Sequence, residues 1–347
     1  MKYFKNCLTS TAIALALSSV AQVANADVTI GIAACCSHGQ TSTMDRAETK
    51  WRQMADEKGV KVLYENAAEA ENDDKTLQYQ QIKKMIDEGA QAILFMPVQG
   101  DGVKKVQKEV FDYAQKKKIP LIAYNREPSQ NLMKRYKNLY YVGSAPAQGG
   151  VYHGEMIVQL VKKHPEWDKN KDGEIAYGHV RGVEKSGNEV ARTTWVVKTL
   201  NNYPGFDLKF KEVANESAQW KRSMAENLTT RWLNGGIIDQ LELIIVNSDD
   251  MALGVLDAFK KANVQPIPIT SINALPAVRE AIDKGEIAGS VYQNIEAQQI
   301  VGFNLALNLI AGKKANDGME DVNFVGNTVA IPFEIVTKEN VDKYLNK

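Results

Sequence analysis

The feature that most constrains this chain is a rhythm. Short, almost uninterrupted apolar runs alternate with longer segments whose apolar residues recur at helical spacing. Runs at 28–34, 60–64, 92–97 and 120–124 predict strands, and the segments between them, at 42–58, 76–88 and 102–117, predict helices. In the second of these helices Leu77, Ile82, Met85 and Ile86 recur at helical spacing, and Gly89 stops it. Strands apolar on both sides are covered on both faces, as in parallel sheets, and strand–helix–strand units close right-handed. The rhythm restarts at 139–143, with strands following at 174–180, 208–213, 241–246, 267–272 and 288–292. Helices are predicted at 148–163, 188–200, 219–233, 251–262 and 275–284, and a helix at 296–311 and one strand at 328–336 close the chain. With 347 residues there is material for two cores. The predicted fold class is α/β, two doubly wound parallel-sheet lobes with a cleft at the carboxyl ends of their strands, where small molecules bind.

Residues 1–26 do not belong to that rhythm. Lys2 and Lys5 precede an apolar run from Ala12 to Val23, and Ala24-Asn25-Ala26 is a small-residue cleavage site. This is the pattern of a secretory signal peptide, with a mature chain starting at Asp27. The run is short for a membrane span, and Cys7 lies ahead of it, where it cannot become a lipid-modified first residue. The predicted location is therefore the periplasm, and the predicted product a soluble protein. The whole chain has 42 basic and 42 acidic residues, so cleavage leaves a small acidic excess. No basic run offers a nucleic-acid footprint.

Cleavage also leaves just two cysteines, Cys35 and Cys36, side by side. Two readings are open: a pair of small free thiols, or a strained eight-membered ring closed in an oxidising compartment. G-x-S-x-G, H-E-x-x-H, the phosphate-binding G-x-x-x-x-G-K-[ST] and a strand-turn G-x-G-x-x-G are all missing from the sequence. His38, which directly follows the first strand, is the histidine most worth watching; His153, His164 and His179 show no ligand spacing.

One stretch does carry chemistry: Asp168-Lys169-Asn170-Lys171-Asp172-Gly173-Glu174-Ile175. Oxygen-bearing side chains at every second residue, then Gly, make the first half of a calcium loop, since a hard cation takes six to eight oxygens. The twelfth position of such a loop, where a bidentate Glu would close it, is His179. The stretch is thus either half a site completed from elsewhere or a solvated polar turn.

Several further stretches match a known family in order: Asn125-Arg126-Glu127-Pro128-Ser129, Tyr140-Tyr141-Val142-Gly143, Ala191-Arg192-Thr193-Thr194, the segment 249–254, and Asn273-Ala274-Leu275-Pro276. With the loop above, they make the mature chain resemble the bacterial periplasmic glucose/galactose-binding proteins of ABC importers over nearly its whole length. The resemblance implies a type I periplasmic-binding-protein fold with a three-segment hinge. It puts 27–125 plus 294–327 in an N-terminal lobe, and 126–293 plus 328–347 in a C-terminal lobe bearing a calcium loop at 168–176. It implies a monomer whose partners are a small-molecule ligand, an ABC importer permease and a chemoreceptor.

The family's calcium loop is completed by a distant Glu, matched here by Glu242, so the implied ligands of a structural Ca2+ are Asp168, Asn170, Asp172, Glu174 and Glu242. The family's next ligand, a Gln, is Ala176 here. In the sugar pocket, Trp220 matches the aromatic that stacks on the ring and Arg192 the arginine that donates to hydroxyls. The rest departs. The family's two pocket aspartates on that side become Asn188 and Asn273, its histidine Ser186, and its asparagines Ser248 and Gln293. On the other side an aspartate becomes Gly39, a stacking Phe becomes Thr41 and an asparagine becomes Met96. With Cys36 and His38 at the first strand end, these changes point away from glucose and galactose and toward a sugar acid or another acceptor-rich molecule. An exported thiol enzyme built on Cys35 and Cys36 is the alternative from another class.

Overall fold

The computed structural model describes residues 28–35, 41–67, 76–98 and 101–345, with the side chains of 41–49 and 101 outside the description. The first lobe runs β1 (Thr29–Ala34), α1 (Thr41–Lys58), β2 (Lys61–Asn66), α2 (Leu77–Asp87), β3 (Ala92–Phe95), α3 (Lys104–Lys116), β4 (Leu121–Tyr124), α4 (Gln130–Arg135) and β5 (Leu139–Gly143). The second runs α5 (Pro146–Lys163), β6 (Glu174–Arg181), α6 (Gly187–Asn202), β7 (Lys209–Ser217), α7 (Arg222–Asn234), β8 (Leu243–Val246), α8 (Asp249–Ala262), β9 (Ile269–Asn273), α9 (Pro276–Asp283) and β10 (Gly289–Gln293). The chain returns through α10 (Ile295–Ile310), β11 (Phe324–Val325), β12 (Thr328–Ala330) and β13 (Phe333–Thr337).

Pairing sorts the strands into two sheets, β11-β12-β5-β4-β3-β1-β2 and β13-β10-β9-β8-β6-β7. The first five strands of each in chain order are parallel and follow the same order across the sheet: second, first, third, fourth, fifth. This is the doubly wound arrangement the sequence rhythm predicts, and its crevice lies where the order reverses, between β1 and β3 and between β6 and β8. Alternation along each strand divides the cores. Leu243 and Ile245 face Ile157 and Val196 of α5 and α6, while Ile244 and Val246 face Leu228, Met251 and Phe259 of α7 and α8. In the first lobe Ile30, Ile32 and Leu94 meet Trp51 and Phe303, while Ile93 and Phe95 meet Tyr79 and Phe111.

Strand pairing moves the expected lobe boundaries. β5 pairs in parallel with β4 and β12 with β5, so 126–143 and 328–330 belong to the first sheet rather than to the second lobe. The chain therefore changes sheets at 144–145, at Asn294 and at 331–332. The expected single strand at 328–336 is two strands in different sheets. Pro332 is the reason: it has no N–H for a ladder and confines Ile331 before it. The Ile331 N–H still donates to Gly143 O at 2.9 Å, so the third crossing leans on the first. The short α4 and β11 were not predicted; α4 is announced only by Ser129, whose side chain accepts from Leu132 N.

Candidate functional site

The carboxyl ends of β8, β9 and β10 gather most of the expected pocket residues of the second lobe. Arg192, on α6, is 4% exposed. Its Nη1 donates to Asn247 O at 2.7 Å and its Nη2 to Gln293 Oε1 at 3.0 Å. Asn273 Nδ2 donates to the same Gln293 oxygen at 2.9 Å. Two donors on Oε1 fix the amide of Gln293, leaving its NH2 as the donor it can offer outward. Burial pulls the Arg192 guanidinium down to about 10, against the through-space pull of Asp249. Ser248 caps α8 at the end of β8, and its hydroxyl is buried without a hydrogen-bond partner. Asn188 sits half-buried in the first turn of α6.

Trp220 is held by strain and by a missing side chain. Gln219 and Trp220 both have left-handed backbones, φ 53° and 63°, a conformation costing roughly 1–3 kcal/mol per non-Gly residue. A Cβ on Gly182 would lie 2.1 Å from the Trp220 ring, so only glycine allows that ring to pack there. The Arg192 guanidinium lies 5.8 Å from the ring centroid, within cation–π range. Trp220 is 8% exposed, so its platform is largely covered in this conformation. Asn273 (φ 130°) and Ala274 (φ 47°) are likewise left-handed.

Two residues that sequence reasoning did not single out organise this mouth. Asp249, fully buried, accepts from Ser271 Oγ at 2.6 Å, from Ser290 Oγ at 2.7 Å and from Leu275 N, tying the turn after β9 to β8 and β10. Burial pushes its carboxyl up, and the three donors pull it back. Asn247 Oδ1 accepts from His179 Nε2 at 2.9 Å, and its Nδ2 donates to Thr193 Oγ1 at 2.9 Å. Beside Asp249, the half-buried Asp250 is pushed up to about 7 by burial and by its neighbour's charge, with Arg222 opposing. The doubled acid Asp249-Asp250 at a strand-to-helix turn was the available signal.

The first lobe's mouth is built differently. Gln78 is fully buried and its Nε2 donates to Ala33 O at 3.0 Å and to Met96 O at 2.8 Å, while its Oε1 accepts from Val98 N at 3.0 Å. It thereby clamps the ends of β1 and β3. Met96 is buried. Cys35 is disulfide-bonded, and its Sγ lies 3.0 Å from Met96 O. Cys36, His38 and Gly39 lie outside the described residues, as does the side chain of Thr41.

The oxygen-rich loop and Glu242 do meet. Glu242, 5% exposed, accepts from Lys169 N at 2.7 Å and from Ala176 N at 2.9 Å. Within the loop, Asp168 accepts from Asp172 N and Gly173 N, and Asp172 from Glu174 N and Asn170 Nδ2. Glu174 points its carboxylate at Lys211, 3.9 Å away, which leaves its carbonyl as its contribution to the loop. Among the described residues no group of three or more His, Cys, Asp or Glu side chains converges on one point. The donors are all oxygen, as a hard cation requires, but here they are engaged with the loop's own N–H groups.

Residues 32–314 match the family described as Periplasmic binding protein domain. The D-galactose/methyl-galactoside binding periplasmic protein MglB of Haemophilus influenzae is 28% identical over 338 residues, 97% of this chain and 98% of that one. A putative rhizopine-binding protein of Rhizobium meliloti is 28% identical, over 83% of this chain and 84% of its own. Among solved structures, an ABC transporter solute-binding protein of Bacillus halodurans with bound myo-inositol superposes with a TM-score of 0.70 at 22% identity, covering 92% of this chain and 98% of that one. One from Actinobacillus succinogenes with bound D-allose gives 0.72 at 19%, covering 91% and 100%. Sheet order, crossings and sequence agree: this chain is a member of the periplasmic binding protein family.

Proposed function

We propose that this protein is a periplasmic solute-binding protein, capturing a monosaccharide or sugar-like molecule in the cleft between its lobes and delivering it to an ABC importer. The observation that carries this reading is the convergence of Trp220, Arg192, Asn273, Gln293 and Ser248 at the carboxyl ends of one sheet. Such a group offers an aromatic plane for the C–H face of a pyranose or cyclitol and directional donors for its oxygens. The relatives are named for binding galactosides and rhizopine, and the solved neighbours hold myo-inositol and allose. Those roles are binding and transport rather than catalysis, so the thiol-enzyme alternative has no support among them. The departures at Asn188, Asn273 and Ser248 favour a ligand other than glucose or galactose. Calorimetry of the mature chain, starting at Asp27, against monosaccharides, cyclitols and their acids tests the proposal. One site per chain with micromolar or tighter affinity supports it, and no heat with any member rejects it.

The same reading includes a structural Ca2+ in the loop closed by Glu242, held by Asp168, Asn170, Asp172 and the Glu174 carbonyl. Such an ion would supply charge neutralisation among these carboxylates. Glu242 already reaches the loop from 66 residues away in sequence at Ala176, which supports the site. A permease and a chemoreceptor are the partners proposed to read the closed form, with the protein acting as a monomer.

A further inference from the structure

Arg192 is a buried cation that makes no ion pair with any described residue. The guanidinium is 4% exposed, and both of its hydrogen-bonded acceptors, Asn247 O and Gln293 Oε1, are neutral. Its Nε is buried with no partner. Among the described residues no carboxylate lies within ion-pair distance of it. The two that could be suspected are committed elsewhere. Glu189, one turn earlier on α6, pairs with Arg181 at 3.2 Å and accepts from Thr193 Oγ1 at 3.1 Å. Asp249 acts on Arg192 only through space and spends its oxygens on Ser271, Ser290 and Leu275 N. Asn273, which could have supplied a carboxylate at the same acceptor, supplies an amide.

Removing a cation from water costs several kcal/mol unless it is paired, and native chains rarely leave such a charge uncompensated. A neutral sugar would bury Arg192 further without supplying the missing charge. A carboxylate would supply it, in the planar, two-oxygen geometry that guanidinium groups prefer. Gln293, its oxygen doubly occupied, has its NH2 left to offer, and an NH2 can only donate. We propose that the ligand is a monocarboxylate sugar, an aldonate or uronate, with its carboxylate directed toward Arg192 and the Gln293 amide and its ring or chain toward Trp220. This deepens the proposed sugar-binding role and rests on it.

The test pairs each neutral sugar with its own acid: D-glucose with D-glucuronate and D-gluconate, D-galactose with D-galacturonate and D-galactonate. Mature protein, unfolded and refolded to strip any carried ligand, is titrated by calorimetry. At least one acid is expected to bind at least 100-fold more tightly than its neutral partner. In Asn273→Asp, which places a carboxylate beside the same Gln293 oxygen, the acid should lose at least roughly tenfold more affinity than its neutral partner does, because like charges brought together in a buried site repel. Melting of the ligand-free variant checks that it folds, and Gln293→Glu repeats the arm if it does not. Binding of a neutral sugar with no preference for any acid overturns the carboxylate and leaves the sugar-binding role standing. Silence across both columns overturns both. An acid preference unmoved in both variants overturns the placement at Arg192.

Discussion

The two lobes repeat one strand order and finish their crevices in opposite ways. In the first, a neutral side chain, Gln78, clamps the backbone ends of β1 and β3 beside Met96 and Cys35. In the second, a guanidinium, two carboxamides and a tryptophan on strained backbone converge on β8, β9 and β10. Shared topology therefore fixes where a crevice lies and leaves its chemistry free. Left-handed Gln219, Trp220, Asn273 and Ala274 and the buried charges Arg192 and Asp249 lie in the second lobe, as expected where geometry must be held for recognition, while the first lobe has left-handed Asn125 and the desolvated Arg126 after β4.

The largest expected difference is in ligand affinity. Trp220→Ala should weaken binding by about 3 kcal/mol, more than 100-fold, as for a central aromatic anchor. Met96→Ala, at the opposite mouth, should cost less than tenfold. Calorimetry on both folded variants decides, and equal losses would break the asymmetry.

Acid should separate the lobes next. Burial holds His153 down at about 3 and also depresses His179, whose neighbours Glu212 and Glu189 oppose that effect while Arg181 reinforces it. His153 also faces His179 and Arg192, both of which disfavour its charge. In each the folded state disfavours the protonated ring. Below pH 6.5 the unfolded chain takes protons that the folded one refuses, so stability is full above 6.5 and falls as pH drops toward about 3. The slope for one such group is about 1.4 kcal/mol per pH unit. Both histidines lie in the second lobe, on α5 and β6, so hydrogen exchange at pH 5 should show that lobe opening before the first. His153→Gln should flatten part of the slope.

Gln78→Leu should destabilise the first lobe by about 2 kcal/mol, since one buried carboxamide satisfies two carbonyls and an N–H. Chemical denaturation measures it, and a change confined to the second lobe would contradict the clamp. The smallest effect is expected at the oxygen-rich loop. Chelator should lower the melting temperature of wild type by a few degrees and leave Asp172→Ala unmoved, because an ion bound only by the folded state adds stability by mass action. With Ala176 offering no side-chain oxygen, affinity for Ca2+ should be modest.

The difference between the lobes was only half legible in the sequence. Period and apolarity announce β3 or β8 directly, because strands covered on both faces must be apolar on both faces. The switch between β12 and β13 was missed because their apolar residues form one run, and only Pro332 marks the break. Arg192, Asn273, Gln293 and Trp220 were found through resemblance, and their residue types alone would not have singled them out. That Arg192 lacks an ion pair could not be read from the sequence, where Glu189 and Asp249 look available. Three-dimensional commitments of those carboxylates decide it. Gly182 was invisible for a related reason: its meaning depends on a tryptophan 38 positions away.

The turn at Ile331-Pro332 has a mechanical consequence. From Ala330 to Phe333 the chain takes three Cα steps of about 3.8 Å, so β12 of one sheet is leashed within about 11 Å of β13 of the other. The Ile331–Gly143 hydrogen bond fastens that leash beside the crossing at 144–145. Two tethers so short and so close together leave little freedom to translate. What remains is rotation about a line through them, so motion at the far rim of the crevice is amplified while the axis stays nearly still.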